Sequence, residues 1–245
     1  MANCKGHKPS ANGEKQCRTD ARSDPSFPGC RCHKPGISTC LSESCVCVVS
    51  GRECDPRICG EKCDTHCRNM AIQRAKPKKT RKGQSSITGG GIGLFTAEVL
   101  HQDDFIGEYR GEKITKKEGE RRALDAQNNN RANYIFALND YEDVDAGRGG
   151  NHTKWINNAD IDQTNCYAAN LVIDGKNRVG IFAADRVEKG QELFFHYYWP
   201  KEFTQAFGTP PDFQGPPPPE QQLLERHARF ERRNRRRSPR HKRVG

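Results

Sequence analysis

The sequence predicts a mostly β (α+β) fold preceded by a small metal-held module, and three observations lead to this prediction. Short apolar runs alternate with turn residues between positions 87 and 199. One clear stretch, Lys116 to about Ala126, has the Lys, Glu, Arg and Ala composition of a helix. Nine cysteines lie close together ahead of this region, between Cys30 and Cys67. The repeating βα units of a doubly wound sheet are absent, which favours short strands around few helices.

Residues 1–27 are predicted as a polar leader. Its notable groups are Cys4, His7 and Cys17. They could be the remnant of an upstream, incomplete zinc site, or they could be free in a flexible segment. The low apolar content of the leader slightly favours the second interpretation.

Residues 28–70 contain too little apolar material to fold around an ordinary core, so a zinc cluster is predicted to hold them. Three tetrahedral zinc ions need twelve ligand positions, and nine thiolates fill twelve if three of them bridge two metals each. Disulfides are the alternative, but nothing at the N-terminus resembles a signal peptide. The predicted ligands are Cys30, Cys32, Cys40, Cys45, Cys47, Cys54, Cys59, Cys63 and Cys67.

The net charge of +10 is concentrated in two runs. Residues 71–86, a basic linker, contain Lys76–Lys82, and residues 200–245, a Pro-rich and Arg-rich tail predicted to be disordered, contain Arg232–Arg237. Such runs can be nuclear-localisation signals, nucleic-acid contacts or solvated segments. Beside a zinc module they favour a nuclear protein that meets DNA phosphates in chromatin. No apolar run is long enough to cross a bilayer.

Between residues 87 and 199 the short apolar runs are predicted as strands. Asp174-Gly175 is typical of a two-residue hairpin turn between two of them. The predicted strands are residues 92–95, 105–109, 134–138, 171–173, 178–184 and 192–195.

Three segments of this domain combine residue types that carry chemistry. Gly89–Gly93 is neither a Walker loop nor a dinucleotide fingerprint, and taken alone it could be a flexible turn. Trp155–Ala159 and Glu192–Tyr198 are rich in aromatic and polar residues, and aromatic residues in strands are usually core packing. Their order along the chain is more informative than any one of them.

This order resembles that of a SET-domain protein lysine methyltransferase. Gly91-Ile92-Gly93 is similar to the family's Gly-x-Gly cofactor motif, and Glu108–Glu112 to its Tyr-x-Gly-Glu segment. Asn157-Asn158-Ala159 stands where the family has Asn-His-Ser, and Glu192–Tyr197 where it has Glu-Leu-x-Phe-Asp-Tyr. Tyr134-Ile135-Phe136 and Val144-Asp145-Ala146 resemble two family strands, so the resemblance implies a SET fold over residues 87–199.

The cysteine module narrows the resemblance to Enhancer-of-zeste proteins of the Polycomb group. Cys30-Arg31-Cys32 and Arg52–Pro56 are similar to the CXC region that precedes SET in that group, and so is Ala71–Arg74. No cysteine follows Cys166, whereas histone H3 lysine-9 enzymes have a zinc-binding post-SET segment.

The resemblance implies methyl transfer from S-adenosylmethionine to a histone lysine, most specifically histone H3 lysine-27, in transcriptional repression within a Polycomb-like complex on nucleosomes in the nucleus. This reaction needs no metal, so the zinc would be structural. Tyr109 and Tyr197 would line the lysine channel with Tyr134, Tyr197 being the candidate catalytic tyrosine. Phe195 stands where phenylalanine leaves room for di- or trimethylation. The implied cofactor contacts are Gly91, Ile92, Gly93, Asn157, Asn158 and Tyr197.

Three departures from the family pattern keep alternatives open. Asn158 replaces the family histidine, His196 replaces the aspartate before the last tyrosine, and two extra residues lie between Ala159 and Asn165. Tyr134 and Ile156 are more similar to lysine-9 enzymes. The alternatives are therefore an H3 lysine-9 methyltransferase, or a non-catalytic zinc-held module that binds DNA or nucleosomes and carries a degenerate SET fold.

Overall fold

The computed structural model describes residues 27–30, 32, 40, 45–60, 63, 67–87, 89–159 and 163–197. The chain divides into two compact units, Met1–Phe195 and His196–Gly245. The first unit holds the cysteine module and the β domain, while the predicted leader and tail lie outside the described residues. No helix in the described part of the chain has the length and apolar character that crossing a membrane requires.

Two single-turn helices, α1 (Val46–Val49) and α2 (Pro56–Cys59), form the described framework of the cysteine module. Asp55 caps the N-terminus of α2, because its carboxylate accepts a hydrogen bond from Arg57 N at 2.9 Å. The core of the module consists of buried cysteine side chains together with Met70, instead of aliphatic residues. A segment with such a core depends on something other than apolar burial for its stability.

A third short helix, α3 (Ala71–Arg74), joins the cysteine module to the β domain. The carboxylate of Glu53, in the module, accepts hydrogen bonds from Ile72 N at 2.6 Å and from Gln73 N at 3.1 Å at the start of this helix. Ile72 is buried in an apolar cluster with Phe105 and other residues of the β domain. α3 therefore connects the two parts by a charge-assisted cap on one side and apolar packing on the other.

We expect Ile72→Ala to lower the free energy of unfolding by about 2–5 kcal/mol, because it leaves a cavity between α3 and the β domain. Ile72 is 2% exposed, whereas Leu124 is 55% exposed and serves as the matched control. Leu124→Ala should change the free energy of unfolding by less than about 0.5 kcal/mol. Denaturant unfolding of both variants measures the difference, and equal effects would contradict the docking role of Ile72.

The strands of the β domain form small sheets. β1 (Thr80–Gln84) and β2 (Ile92–Thr96) make an antiparallel pair. β3 (Phe105–Tyr109), β9 (Lys176–Ala183) and β8 (Cys166–Ile173) make an antiparallel sheet in the order β3-β9-β8. The buried side chains of these sheets lie in β2, β3, β8 and β9, so the apolar runs identified in the sequence supply the core.

The turn between β8 and β9 is the predicted hairpin turn. Ile173 pairs with Lys176, so Asp174 and Gly175 form a two-residue loop. Their φ angles are 49° and 70°, and two positive φ angles define the type I′ turn that Asp-Gly favours. The prediction at this position is confirmed.

A third sheet supports the long helix. β4 (Glu112–Thr115), β6 (Glu142–Asp145) and β5 (Ile135–Ala137) are antiparallel in the order β4-β6-β5. Helix α4 (Lys116–Asn128) starts directly after β4 and packs on this sheet. β5 lies at an edge of the sheet.

Helix α4 is fixed by its cap and by one arginine. Thr115 Oγ1 accepts a hydrogen bond from Glu118 N at 3.3 Å, which caps the first turn. Arg122, one turn further, donates to Glu118 and to Asp145, each at 2.7 Å. Since Asp145 lies in β6, this arginine ties the helix to the sheet beneath it.

The last two strands, β7 (Asn157–Asn158) and β10 (Phe194–Phe195), are short and parallel. A single 3-10 turn, His152–Trp155, precedes β7. This pairing brings two distant segments of the sequence side by side. The mostly β fold with few helices, preceded by a cysteine cluster, is as the sequence predicts.

Several boundaries differ from the sequence-based expectation, among them the start of the strand predicted at 171–173, which begins at Cys166. The predicted basic linker 71–86 contains α3 and β1, because Thr80–Gln84 gains its hydrogen bonds from β2 although its basic side chains point mostly to solvent. The predicted strand 192–195 reduces to Phe194–Phe195, since Glu192 makes only an isolated bridge to Phe95.

Candidate active site and cysteine cluster

Within the glycine-rich segment Gly89–Gly93, the first three residues lie in the loop between β1 and β2, and Ile92 and Gly93 begin β2. Gly89 and Gly91 have φ angles of 77° and 62°, a conformation that other residues rarely adopt. Ser85 N donates a hydrogen bond to Gly91 O at 2.9 Å, which closes the loop. The side chain of Ile92 is exposed at the loop's end. The loop is therefore a defined structure with an open face.

Asn157 holds this loop from the neighbouring strand β7. Its side-chain amide donates to Gly90 O at 3.4 Å, to Ile92 O at 3.2 Å and to Glu192 Oε1 at 3.4 Å. Asn158, the next residue, pairs with Phe195 of β10. The structure thus brings together the glycines and the asparagines that the sequence singled out, and Asn157 uses its amide hydrogens within the protein.

An aromatic cluster places the rings of two predicted channel residues, Tyr109 and Phe195, beside Phe136. The ring of Phe136 lies 5.3 Å from that of Tyr109 and 6.1 Å from that of Phe195, measured between centroids. Tyr109 Oη donates to Tyr134 O at 2.8 Å. Phe136 was not assigned a site role from the sequence, although its place in an aromatic strand is a signal that could have found it. Through Phe195 the cluster adjoins β7.

Lysine side chains border this region, and the sequence analysis did not identify them. Lys154 Nζ lies 4.9 Å from the ring centroid of Trp155 and 5.2 Å from that of Tyr134, and Lys82 Nζ lies 5.8 Å from the Trp155 ring. Cations at these distances are attracted by the ring faces. Burial raises the pKa of Tyr134, so its hydroxyl is neutral at physiological pH. The positive charges of Lys154 and Lys82 would attract an anionic group of a ligand.

Tyr197 and His196 follow β10 directly and belong to the second compact unit. The roles predicted for Tyr197 in catalysis and cofactor binding therefore stay predictions. The same holds for the functional roles of the glycines, asparagines and channel aromatics, whose proximity is a geometric finding.

Glu108, within the Tyr-x-Gly-Glu-like segment, is held by two arginines. Arg178 donates to both carboxylate oxygens at 2.6 Å, and Arg110 donates to one of them at 2.8 Å. Burial alone would raise the pKa of Glu108, but the hydrogen bonds and charges of Arg178 and Arg110 outweigh it and lower the pKa below its ordinary value of 4.5. The ion pair between Glu108 and Arg178 joins β3 to β9, and β3 also carries Tyr109.

We expect this pair to contribute stability above pH 4.5 that is lost as the pH falls, because a lowered folded-state pKa makes protonation favour unfolding. Glu108→Gln should therefore destabilise the protein by about 1 kcal/mol at pH 7, and the difference from the unmodified protein should shrink as the pH falls through the lowered pKa of Glu108. Denaturant unfolding across this range measures it. A difference that did not change with pH would exclude an ionic contribution.

Eight cysteines of the module approach one another in three overlapping groups of four sulfur atoms, each group within 4.8 Å. Cys54 belongs to all three groups, and Cys30 and Cys40 each belong to two. Cys32, the ninth, interacts with Cys30 and Cys45. The groups are Cys30, Cys40, Cys45 and Cys54; Cys30, Cys47, Cys54 and Cys59; and Cys40, Cys54, Cys63 and Cys67.

The sulfur spacing fits thiolate coordination of zinc. A tetrahedron with Zn–S bonds of about 2.3 Å has edges of about 3.8 Å. The distances between sulfurs are 3.9 Å for Cys30 and Cys40, 3.6 Å for Cys30 and Cys54, and 3.5 Å for Cys47 and Cys59. A disulfide needs sulfurs about 2.05 Å apart, and these cysteines are free. The donor set is therefore that of a metal cluster.

Comparison with known proteins agrees with this architecture. The SET domain family matches residues 91–198. The histone-lysine N-methyltransferase MEDEA of Arabidopsis thaliana is 34% identical over 212 residues, which are 81% of this chain and 30% of that protein.

Solved structures show the same likeness. An active polycomb repressive complex 2 in the basal state has a TM-score of 0.62 and 33% identity over 70% of this chain and 24% of that one. A ctPRC2 complex with H3K27me3 and H3K27M has a TM-score of 0.62 and 30% identity over 71% of this chain and 23% of that one. The chain spans less than a third of the length of each of these proteins. It belongs to the SET-domain family, and over most of its length it is homologous to the Enhancer-of-zeste proteins.

Proposed function

We propose that this chain transfers methyl groups from S-adenosylmethionine to a lysine of histone H3, specifically lysine-27, as part of a Polycomb-like repressive complex. The observation that carries the proposal is the meeting of the Gly91–Gly93 loop, Asn157 and the aromatic cluster around Phe136 at the β7–β10 pair. The assignment to lysine-27 is supported by the homologous ctPRC2 structure, whose name includes H3K27me3.

The protein's task in this reaction is to present a neutral lysine amine in line with the methyl group that S-adenosylmethionine supplies. A free lysine has a pKa of about 10.4 and is protonated at neutral pH. Walls such as Tyr109, Phe136 and Phe195 would remove water from the amine, and the positive charge of the cofactor would repel its ammonium form. Alignment in the channel supplies proximity.

The degree of methylation is proposed to include the di- and trimethyl states. Phe195 is 5% exposed and packs near Phe136 without a hydroxyl that could hold a water beside the amine. A phenylalanine at this position leaves room for a lysine that already carries methyl groups. The family histidine is replaced by Asn158 in this chain. A cofactor contact made through the peptide group of this residue would survive the replacement.

Three structural zinc ions are proposed for the cysteine module. The overlap of the sulfur groups supports Cys30, Cys40 and Cys54 as the bridging ligands, since each belongs to more than one group. The remaining six cysteines would then complete the three tetrahedra with two terminal ligands each. Cys32 would share its ion with Cys45, with which it interacts.

Chromatin in the nucleus is the proposed location, and DNA phosphates are a proposed partner. The described part of the basic segment, including Arg81 and Lys82 of β1, exposes its side chains to solvent. Phosphate contacts by such residues would raise nucleosome affinity at low salt without reading sequence. The run Arg232–Arg237 lies outside the described residues.

The test is transfer of labelled methyl groups to nucleosomes and to free histone H3, with and without Polycomb partner subunits. Label on lysine-27 supports the proposal. Label on lysine-9 would instead support the lysine-9 alternative, which Tyr134 favours. No label together with no binding of S-adenosylmethionine would support a non-catalytic chromatin module with a degenerate SET fold.

A further inference from the structure

One buried carboxylate lies where three segments of the candidate site meet. Glu192 is 7% exposed. Its Oε1 accepts hydrogen bonds from Ser85 Oγ at 2.7 Å and from Asn157 Nδ2 at 3.4 Å. Its Oε2 accepts from both Ser86 N and Ser86 Oγ at 2.7 Å. Four donors, from the segment after β1 and from β7, therefore converge on one side chain.

The backbone of Glu192 is fixed as well. Asn165 Nδ2 donates to Glu192 O at 2.7 Å, and Glu192 forms an antiparallel bridge with Phe95 of β2. The next residue, Leu193, donates its N–H to Leu94 O at 2.8 Å. These contacts fix the backbone of Glu192 beside β2. Its carboxylate extends toward the loop that precedes this strand.

Gly93 shows how closely the carboxylate approaches that loop. A Cβ atom at Gly93 would overlap Glu192 Oε1, so a residue with a side chain could not stand there without displacing the carboxylate. The last glycine of Gly91-Ile92-Gly93 therefore makes room for a carboxylate of the protein itself. Asn157, which donates to Glu192, also holds the loop carbonyl of Ile92.

Glu192 is ionised in this environment. Burial raises its pKa, but the hydrogen bonds from Ser86, Ser85 and Asn157 outweigh burial and leave the pKa below its ordinary value. Hydrogen bonds to an ionised acceptor are roughly twice as strong as those between neutral groups. The network consequently holds the loop more firmly than neutral contacts would.

We infer that Glu192 is a positioning residue that holds Gly91–Gly93 and Asn157 in the conformation that receives the cofactor. The inference rests on the proposed function, since it assigns these residues to S-adenosylmethionine binding. Glu192 itself faces the loop from the protein side. Its effect on the cofactor is therefore indirect and depends on its hydrogen bonds.

The test compares Glu192→Gln with Glu188→Gln in the zinc-loaded full chain. An amide at position 192 turns an NH₂ group toward Ser86 or Asn157, which already donate. The carboxylate of Glu188, by contrast, is exposed and pairs with the exposed side chain of Arg186. Calorimetry should show at least a tenfold loss of affinity for S-adenosylmethionine in Glu192→Gln and less than a twofold change in Glu188→Gln. The KM for histone H3 should stay within twofold, and hydrogen exchange should accelerate in residues 85–93.

A second ligand and a second variant separate the possible failures. Because Glu192 acts through the loop, affinities for the charged cofactor and for the neutral S-adenosylhomocysteine should fall by similar factors. A loss confined to the charged ligand, or unchanged affinity in Glu192→Gln, would overturn the positioning role while the methyltransferase proposal stands. If Glu192→Gln does not fold, Ser85→Ala is the substitute, because it removes one of the donors to Glu192. It should lower the affinities for both ligands by several-fold. An unmodified chain that binds neither ligand, alone or together with Polycomb partner subunits, would overturn the proposed function itself.

Discussion

Removal of metal by a strong chelator is expected to unfold the cysteine module and to lower the melting temperature of the whole first unit. Apart from Met70 the buried core of the module is cysteine, so little apolar burial remains once the thiolates lose their metal. Structural zinc contributes about 10–16 kcal/mol to folding in zinc-finger peptides at neutral pH, which is as large as the whole stability of a typical domain, about 5–15 kcal/mol.

The effect should reach the β domain through α3. Glu53 lies next to the predicted ligand Cys54 and caps α3 through Ile72 N, while the Ile72 side chain packs in the β domain. Backbone hydrogen bonds between Glu53 N and Val172 O, at 3.3 Å, and between Val172 N and Gly51 O, at 2.9 Å, add a second connection. When the module unfolds, these contacts lose one partner.

The measurement combines zinc content, melting temperature and titration of reactive thiols before and after chelation. We expect nine additional reactive thiols per chain, one for each cysteine between Cys30 and Cys67. Cys166 is buried in β8, away from the three sulfur groups, and is the internal control that should stay protected. Adding zinc back under reducing conditions should reverse all three changes. Unchanged zinc content and melting after exhaustive chelation would refute the cluster.

The elements that the sequence predicted well are those whose signals are local. Asp174-Gly175 determines its own turn, because both residues tolerate positive φ, and the flanking apolar runs then become β8 and β9. Helix α4 was predicted at Lys116 to about Ala126 and extends to Asn128, where a run of asparagines ends it. The nine cysteines, in a segment with little apolar material, predicted a module with a cysteine core, and eight of them come together in the three sulfur groups.

The elements that were missed depend on pairing with distant residues. β1 has the sequence Thr-Arg-Lys-Gly-Gln, with no apolar alternation, and is a strand because β2 satisfies its backbone. At the candidate site the sequence identified Gly93, Asn157 and the segment that begins at Glu192, but it did not show that the Glu192 carboxylate contacts the other two. The donors Ser85 and Ser86 precede Glu192 by more than a hundred residues, and only the folded sheet brings them together.

Tyr197→Phe is expected to reduce methyl transfer by at least about a hundredfold, the size of effect seen when one positioned polar group is removed from an active site. The phenyl ring preserves packing, so melting temperature and cofactor affinity should change little, and the loss should appear in kcat. Tyr141→Phe is the matched control, because Tyr141 is 59% exposed in the turn between β5 and β6. Full activity of Tyr197→Phe would refute the assigned role. Weaker cofactor binding with unchanged kcat would instead make Tyr197 a binding residue.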